Sequence, residues 1–227
     1  MASPKNHERV NDILLGPLER PALNWLATHL PSWITPDGCT IIGILGSVII
    51  AVGFVLSRID RNFLWLAILG FLINWFGDSL DGTLARFRHI ERPIYGFFVD
   101  HTSDLFSQLL IFLSLGASPY IGFNFACLLL IAYLLLSIMV YIRTSLFGEF
   151  KISYSKLGPT EFRVFAIMLT IAMYFGGLRY FNVNLWDQFK FGITPYDFVV
   201  IFFTLLLLYF FSFTAVKEIV RLRKLNE

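Results

Sequence analysis

The sequence predicts an all-α integral membrane protein with about six transmembrane helices and an N-terminal amphipathic helix at the membrane interface. Hydrophobic residues make up 56% of the 227 residues, and the mean hydropathy of +0.68 is too high for a soluble domain of this length. We therefore expect one membrane domain at 35–220, between an N-terminal interfacial segment at 1–34 and a basic cytoplasmic tail at 221–227. The six apolar stretches that are long enough to cross a bilayer cover residues 36–57, 62–86, 94–117, 119–146, 160–182 and 193–216.

The residues before the first stretch are predicted to form an amphipathic helix that lies in the membrane interface. Between residues 8 and 33, apolar side chains that include Trp25 and Trp33 are interspersed with charged and polar ones. Pro17 and Pro21 are expected to interrupt this helix. A helix packed against a soluble partner is the alternative interpretation of the same pattern.

Basic residues are distributed unequally between the two ends of the predicted spans. Of the 18 Lys and Arg residues, four are on the side that does not hold the termini: Arg58, Arg61, Arg179 and Lys190. Because basic loops of membrane proteins remain in the cytoplasm, both termini and the acidic site described below, which flanks the connection between the second and third spans, are predicted to be on the cytoplasmic side. The net charge of +2 gives no reason to expect a nucleic-acid partner.

Carboxylates occur among the apolar residues of the second and third predicted spans. The pattern D-x-x-D-G-x-x-A-R is followed, after nine residues, by G-x-x-x-D-x-x-x-D. Its members are Asp78, Asp81, Gly82, Ala85 and Arg86 on the first helix and Gly96, Asp100 and Asp104 on the second. Ionisable groups at membrane depth are costly unless they are paired, hydrated or bound to cations, so the pattern predicts a functional site.

The spacing of the four aspartates indicates a metal site. At about 100° per residue, the members of the pattern on each helix share one face, so two acidic faces can meet. Four adjacent carboxylates repel one another unless divalent cations neutralise them, and Mg²⁺ or Mn²⁺ suits ligands that are all oxygen. The neighbourhood lacks the His and Cys cluster expected of zinc. We expect two such ions, shared by the four aspartates, to bind a diphosphate.

The other members of the pattern favour a phosphorylated ligand. Gly82, Ala85 and Gly96 leave room on the acidic faces for a base or a phosphate. Arg86 ends the same face, and its planar guanidinium can bind a phosphate oxygen.

These eight positions together resemble the signature of the CDP-alcohol phosphotransferase (CDP-alcohol phosphatidyltransferase) family, integral membrane enzymes that join a CDP-activated lipid or head group to an alcohol. The segment 35–40 is similar to the family's P-N-x-x-T element, with Asp37 where Asn is commoner. The resemblance implies a multi-pass, homodimeric enzyme of phospholipid synthesis that transfers a phosphatidyl or substituted phosphoryl group and releases CMP. It implies that Asp104 is the base that accepts the proton of the attacking hydroxyl. The implied CDP-binding residues are Asp81, Gly82, Ala85, Arg86 and Gly96.

The sequence leaves the substrates open. Residues 141–143 and 158–163 resemble segments that bind a phosphorylated acceptor in the branch that uses CDP-diacylglycerol. In that case Arg143, Lys151 and Arg163 are expected to bind inositol phosphate or glycerol phosphate, and this is the leading expectation. His101 and the Gly-Pro-Thr-Glu segment also resemble the branch that transfers from CDP-choline or CDP-ethanolamine to diacylglycerol, which is the alternative.

Two more distant functions share some of these features. An intramembrane prenyltransferase also binds a diphosphate through Asp-rich helices, but its next carboxylate after Asp78 is expected where this chain has Gly82. A cation transporter could use intramembrane carboxylates. It would not explain the small residues of the pattern, and an adjacent arginine does not suit a cation pathway.

Overall fold

The structure is a computed structural model, and it describes residues 9–10, 14–147, 150–151, 158–186 and 189–225. The predicted all-α fold is confirmed. The described part contains seven helices: α1 (Gly16–His29), α2 (Pro36–Leu56), α3 (Phe63–Phe87), α4 (Pro93–Ala117), α5 (Phe123–Phe147), α6 (Pro159–Gly176) and α7 (Pro195–Leu225). Two short strand pairs accompany them, β1 (Arg9–Val10) parallel to β2 (Phe150–Lys151) and β3 (Phe181–Trp186) antiparallel to β4 (Phe189–Ile193).

Four of the helices, α2, α3, α5 and α7, are long and apolar enough to cross a membrane. The other two predicted spans coincide with α4 and α6, which are less apolar because they carry charged side chains. These are Asp100 and Asp104 in α4, and Glu161 and Arg163 in α6. The fifth predicted span is too long, because α6 ends at Gly176 and Gly177 adopts a φ of +65°, a conformation that glycine favours.

Contacts at both ends place α4 beside α2 along its whole length. Arg92, which precedes α4, pairs with Asp37 in the first turn of α2 at 2.5 Å. At the opposite end, Arg58 after α2 donates a hydrogen bond to the carbonyl of Ala117, the last residue of α4. The two helices are therefore parallel and cover the same depth.

α6 follows α3 in the opposite direction. Arg163 in its second turn bonds Asp78 near the end of α3, and the Tyr174 hydroxyl bonds Asn62 just before α3 at 3.2 Å. Because α4 and α6 each accompany an apolar helix from end to end, these contacts support the predicted six spans, which remain a prediction.

α2 and α3 approach so closely that only glycine fits between their backbones. A Cβ atom on Gly77 would lie 2.2 Å from the backbone nitrogen of Gly43, and one on Gly46 would lie 2.4 Å from that of Asn74, whereas real Cβ atoms essentially never come within 3.0 Å. Small residues at such crossings let membrane helices pack backbone to backbone. The crossing places the acidic end of α3 directly against the start of α2.

α1 is amphipathic, as predicted. Leu23 and Ala27 are buried against Leu80 and Leu84 of α3. On the other face Leu14 just before the helix, Leu18 and Trp25 are exposed. Burial of one apolar row holds the helix on the bundle, and the exposed row suits the membrane interface.

The expected interruption of this helix does not occur. Pro17 lies in the first turn, where a missing backbone N–H leaves no intrahelical bond unmade, and Pro21 lies inside the helix. The loss of one hydrogen bond at Pro21 is offset by the burial of the α1 side chains that follow it.

Candidate active site

Three carboxylates meet between the end of α3 and the first half of α4. Asp78, Asp100 and Asp104 each offer an oxygen, and these oxygens all lie within 4.8 Å of one another. The turn at 88–92 reverses the chain between the two helices, so their acidic faces point toward each other. The two acidic helix faces were expected to lie against each other, and these three residues do so.

Asp81, the fourth aspartate, bonds toward α2 instead. Its Oδ2 accepts a hydrogen bond of 2.7 Å from the hydroxyl of Thr40, and its Oδ1 accepts one from the backbone N–H of Gly82. Thr40 closes the segment 35–40 at the start of α2, and the sequence pattern did not give it a role. The only signal for it was a hydroxyl at the fixed Thr position of that segment.

Arg163 reaches the acidic site from α6. Its Nη2 donates to Asp78 Oδ2 at 2.5 Å, and its Nε donates to Asn74 Oδ1 at 2.9 Å. The side chain is only 11% exposed. A buried guanidinium that contacts one of three clustered carboxylates offsets part of their mutual repulsion.

The other two predicted acceptor-binding residues are placed differently. Arg143 pairs with Glu218 of α7, with 3.1 Å between Nε and Oε1. The side chain of Lys151 lies outside the described residues. The two described arginines therefore have different carboxylate partners, and a common acceptor-binding role remains a prediction.

The aspartates line a cavity of about 1550 Å³. At the end formed by α1 and the starts of α2 and α4, its wall is polar and includes Glu19, Arg20, Asp37, Arg86 and Arg92. Deeper between α4, α5, α6 and α7, its wall is apolar and includes Phe112, Leu129, Leu136, Phe203 and Leu207. The carboxylates lie where these two parts join.

The residues predicted to bind CDP also line this cavity. They are Asp81, Gly82, Ala85, Arg86 and Gly96. A Cβ on Gly96 would meet nothing within 4 Å, so there is open space beside this glycine. Arg86 donates to the Thr83 hydroxyl at 3.3 Å. At the polar end, the hydrogen bond with Asp37 raises the pKa of Arg92 above its usual value.

α1 forms part of the cavity wall and is held there by Glu19. One oxygen, Oε1, accepts hydrogen bonds from Trp75 Nε1 at 2.8 Å, from Ser79 Oγ at 3.1 Å and from Thr160 Oγ1 at 2.9 Å. The carboxylate of Glu19 thereby joins α1 to α3 and α6.

Arg88 fixes the loop between α1 and α2. Its guanidinium donates to the carbonyl oxygens of Leu30, Pro31, Ser32 and Ile34. This loop leads into the segment that carries Thr40. Neither Glu19 nor Arg88 was distinguished by the sequence, because their partners are distant along the chain.

The three clustered carboxylates fit a hard divalent cation. Oxygen atoms bound to one Mg²⁺ lie at most about 4.2 Å apart, because each Mg–O distance is about 2.1 Å. Neighbouring oxygens on one ion are closer, about 3 Å apart, so the oxygens of Asp78, Asp100 and Asp104, which all lie within 4.8 Å of one another, can share an ion after approaching by less than about 2 Å. The donor set is all oxygen, as Mg²⁺ and Mn²⁺ prefer.

Comparison with known proteins identifies the family of this chain. Residues 33–208 match the family model described as CDP-alcohol phosphatidyltransferase. The chain is 26% identical over 170 residues to cholinephosphotransferase 1 of Gallus gallus, in an alignment that covers 72% of this chain and 50% of that protein. It is 23% identical over 175 residues to cholinephosphotransferase 1 of Homo sapiens, covering 72% of this chain and 40% of that protein.

The chain thus matches about half, or less, of the length of these curated relatives. The matched family region includes α2 to α6, the first part of α7 and every position of the acidic pattern. The resemblance inferred from that pattern is confirmed: the chain belongs to the CDP-alcohol phosphatidyltransferase family.

Proposed function

We propose that this protein transfers a substituted phosphoryl group from a CDP-linked donor to the hydroxyl of an alcohol and releases CMP. The observation that carries the proposal is the position of the three clustered carboxylates, at the junction between the polar and apolar parts of one cavity. A nucleotide and a lipid can meet at such a junction, each in a compartment of suitable polarity.

Asp78, Asp81, Asp100 and Asp104 are the proposed metal ligands. These residues would hold two Mg²⁺ or Mn²⁺ ions, which would supply positive charge to neutralise the donor diphosphate and the leaving CMP. Asp81 is held by the hydrogen bond from Thr40 and lines the same cavity as the other three aspartates. Arg86 and the open space beside Gly96 lie at the same end and suit the nucleotide.

Asp104 is the proposed general base. It accepts the proton of the acceptor hydroxyl as the new P–O bond forms at the phosphorus distal to cytidine, and the bond from that phosphorus to the CMP oxygen breaks. Along α4, Asp104 is followed by Ile111, Phe112 and Leu115, which line the apolar part of the cavity. An acceptor hydroxyl can therefore reach Asp104 from the apolar side.

The cavity favours a lipid acceptor such as diacylglycerol. Among the described lysines and arginines, those that line it are Arg20, Arg86, Arg92 and Arg163, and none of them lies in the deep apolar part. That part suits acyl chains, and the donor is then a CDP-linked amino alcohol. The relatives named cholinephosphotransferase point to the same substrate pair.

One observation favours CDP-diacylglycerol as the donor, with a phosphorylated alcohol as acceptor. A second, apolar groove of about 280 Å³ lies between α1, α3 and α6. It shares Glu19, Phe71, Thr160 and Arg163 with the main cavity. Acyl chains of a lipid-linked donor could lie in this groove with the diphosphate near Asp78.

We place the polar end of the cavity and both termini on the cytoplasmic side. The unequal distribution of the 18 basic residues supports this orientation, and CDP-linked substrates are available there. A homodimer, which the family resemblance implies, is part of the same proposal.

The test is CMP release by the purified full chain with Mg²⁺. CDP-choline, CDP-ethanolamine and CDP-diacylglycerol are each paired with diacylglycerol, inositol phosphate and glycerol phosphate. We expect release with a CDP-linked amino alcohol and diacylglycerol. Release that requires CDP-diacylglycerol and a phosphorylated alcohol would establish the second candidate, and no release with any pair would contradict both.

Removal of divalent cations should abolish the reaction. We expect EDTA to stop CMP release, because without the cations the cluster of carboxylates repels the donor diphosphate. Excess Mg²⁺ or Mn²⁺ should restore the rate. Turnover that persists in EDTA would contradict the assignment of the aspartates as metal ligands.

Filling the apolar part of the cavity should discriminate between acceptors by chain length. Leu136 lines the cavity, so Leu136→Trp is expected to reduce activity with a long-chain diacylglycerol about 10-fold more than with dioctanoylglycerol. Leu128 on the same helix is 51% exposed and does not line the cavity, so Leu128→Trp is the matched control. An equal loss with both acceptors in Leu136→Trp would show that acyl chains do not lie there.

A further inference from the structure

A chain of hydrogen bonds crosses three helices and ends on the proposed metal ligand Asp78. It begins on α2, where the Gly43 carbonyl and the Ser47 hydroxyl each accept from Asn74 Nδ2 at 3.0 Å. Asn74 Oδ1 accepts from Arg163 Nε, and Arg163 Nη2 donates to Asp78. Asn74 and Asp78 lie one turn apart on α3, and the guanidinium of Arg163 from α6 bridges them.

The chemistry of the groups determines the direction of every bond. A guanidinium only donates, so Asn74 must present its oxygen to Arg163. A backbone carbonyl only accepts, so Asn74 must present its nitrogen to Gly43. The amide cannot rotate without losing both sets of bonds, and it is 4% exposed, so water does not replace them. Asn74 therefore fixes the guanidinium, and the guanidinium fixes Asp78.

We infer that Asn74 is a positioning residue for the metal site and acts through Arg163 on Asp78. The inference rests on the metal part of the proposed function and does not depend on which substrates are used. Partners that orient a metal ligand typically contribute 10- to 100-fold in metal affinity. It also gives Arg163 a role other than the predicted binding of a phosphorylated acceptor.

Substitution of Asn74 separates the positioning of the metal ligand from the binding of an acceptor better than substitution of Arg163 does. Both residues line the cavity, but Arg163 carries a charge there and bonds Asp78 directly, so its substitution can affect both the metal and the acceptor. Substitution of Asn74 by leucine preserves the size of the side chain and leaves the charge of Arg163 in place. Any change in metal affinity then reports the position of the guanidinium and not its charge.

The experiment measures Mn²⁺ binding to the purified full chain by electron paramagnetic resonance, without substrate. We expect Asn74→Leu to raise the Mn²⁺ dissociation constant about 10-fold. The Mg²⁺ concentration for half-maximal CMP release should rise by a similar factor, with the KM for the acceptor unchanged at saturating Mg²⁺. Ser47→Ala is the matched control, because it removes one partner of Asn74 and leaves the bond to Arg163; we expect less than about a 2-fold change.

Unchanged Mn²⁺ binding in Asn74→Leu, or a change confined to the acceptor KM, would overturn the inference. If that variant does not fold, Arg163→Lys replaces it, because lysine keeps the charge but cannot bridge Asn74 and Asp78 with a planar fork. A 10-fold loss of Mn²⁺ affinity in Arg163→Lys supports the inference, and a rise in the acceptor KM alone contradicts it. A wild-type protein that binds Mn²⁺ but releases no CMP would contradict the proposed function and leave the positioning role measurable.

Discussion

Asp104→Asn is expected to lower the rate of CMP release by about 10²- to 10⁴-fold, the usual contribution of a general base. Asparagine keeps the size of the side chain but cannot accept the proton of the acceptor hydroxyl. Asp78, Asp81 and Asp100 remain, so the variant should still bind much of its CDP-linked donor. The measurement is CMP release at saturating Mg²⁺, together with donor binding to the variant.

Asp100→Asn distinguishes loss of the base from loss of a metal ligand. Asp100 lies one turn before Asp104 on α4 and belongs to the same cluster. We expect its substitution to raise the Mg²⁺ requirement, so that added Mg²⁺ restores part of the rate. Asp104→Asn should not recover in this way. Wild-type turnover in Asp104→Asn would exclude Asp104 as the base.

Gly77→Ala is expected to prevent stable folding, although it adds a single methyl group. The new Cβ would lie 2.2 Å from the backbone nitrogen of Gly43 and 2.5 Å from the carbonyl oxygen of Cys39. These are backbone atoms, so α2 and α3 must separate along their crossing. Overpacking of a core usually costs about 1–3 kcal/mol, and displacement of a whole helix costs more.

The measurement is thermal unfolding of the detergent-purified protein. Gly96→Ala adds the same methyl group on α4, where a Cβ would meet nothing within 4 Å, so its melting temperature should match that of the wild type. A Gly77→Ala protein with an unchanged melting temperature would show that α2 and α3 do not pack as closely as described.

The part of the site that lies on two neighbouring helices could be predicted from the sequence. Asp78, Asp100 and Asp104 follow a helical period and are joined by a short turn, so their meeting depends only on local geometry. The bond from Thr40 to Asp81 and the bonds from Arg163 to Asn74 and Asp78 could not be predicted in this way. They depend on which faces of α2 and α6 pack against α3.

The helices could likewise be predicted where their length and hydrophobicity determine them, but not where packing between helices determines them. Long apolar stretches indicate membrane helices because of their length, and α2, α3, α5 and α7 have the expected character. Pro21 was expected to break α1 but lies within it, because burial of Leu23 and Ala27 stabilises the helix after the proline. Side-chain packing of this kind is not visible in a periodic pattern.

The wall that α1 contributes to the cavity extends the proposed active site beyond the region matched by the family model. The family match starts at residue 33, after the end of α1. A truncated protein that began at residue 33 would lack Glu19, Arg20, Leu23 and Asn24, all of which line the cavity. It would also leave Trp75, Ser79 and Thr160 without their shared acceptor. We therefore expect α1 to be required for the proposed activity and not to be a detachable anchor.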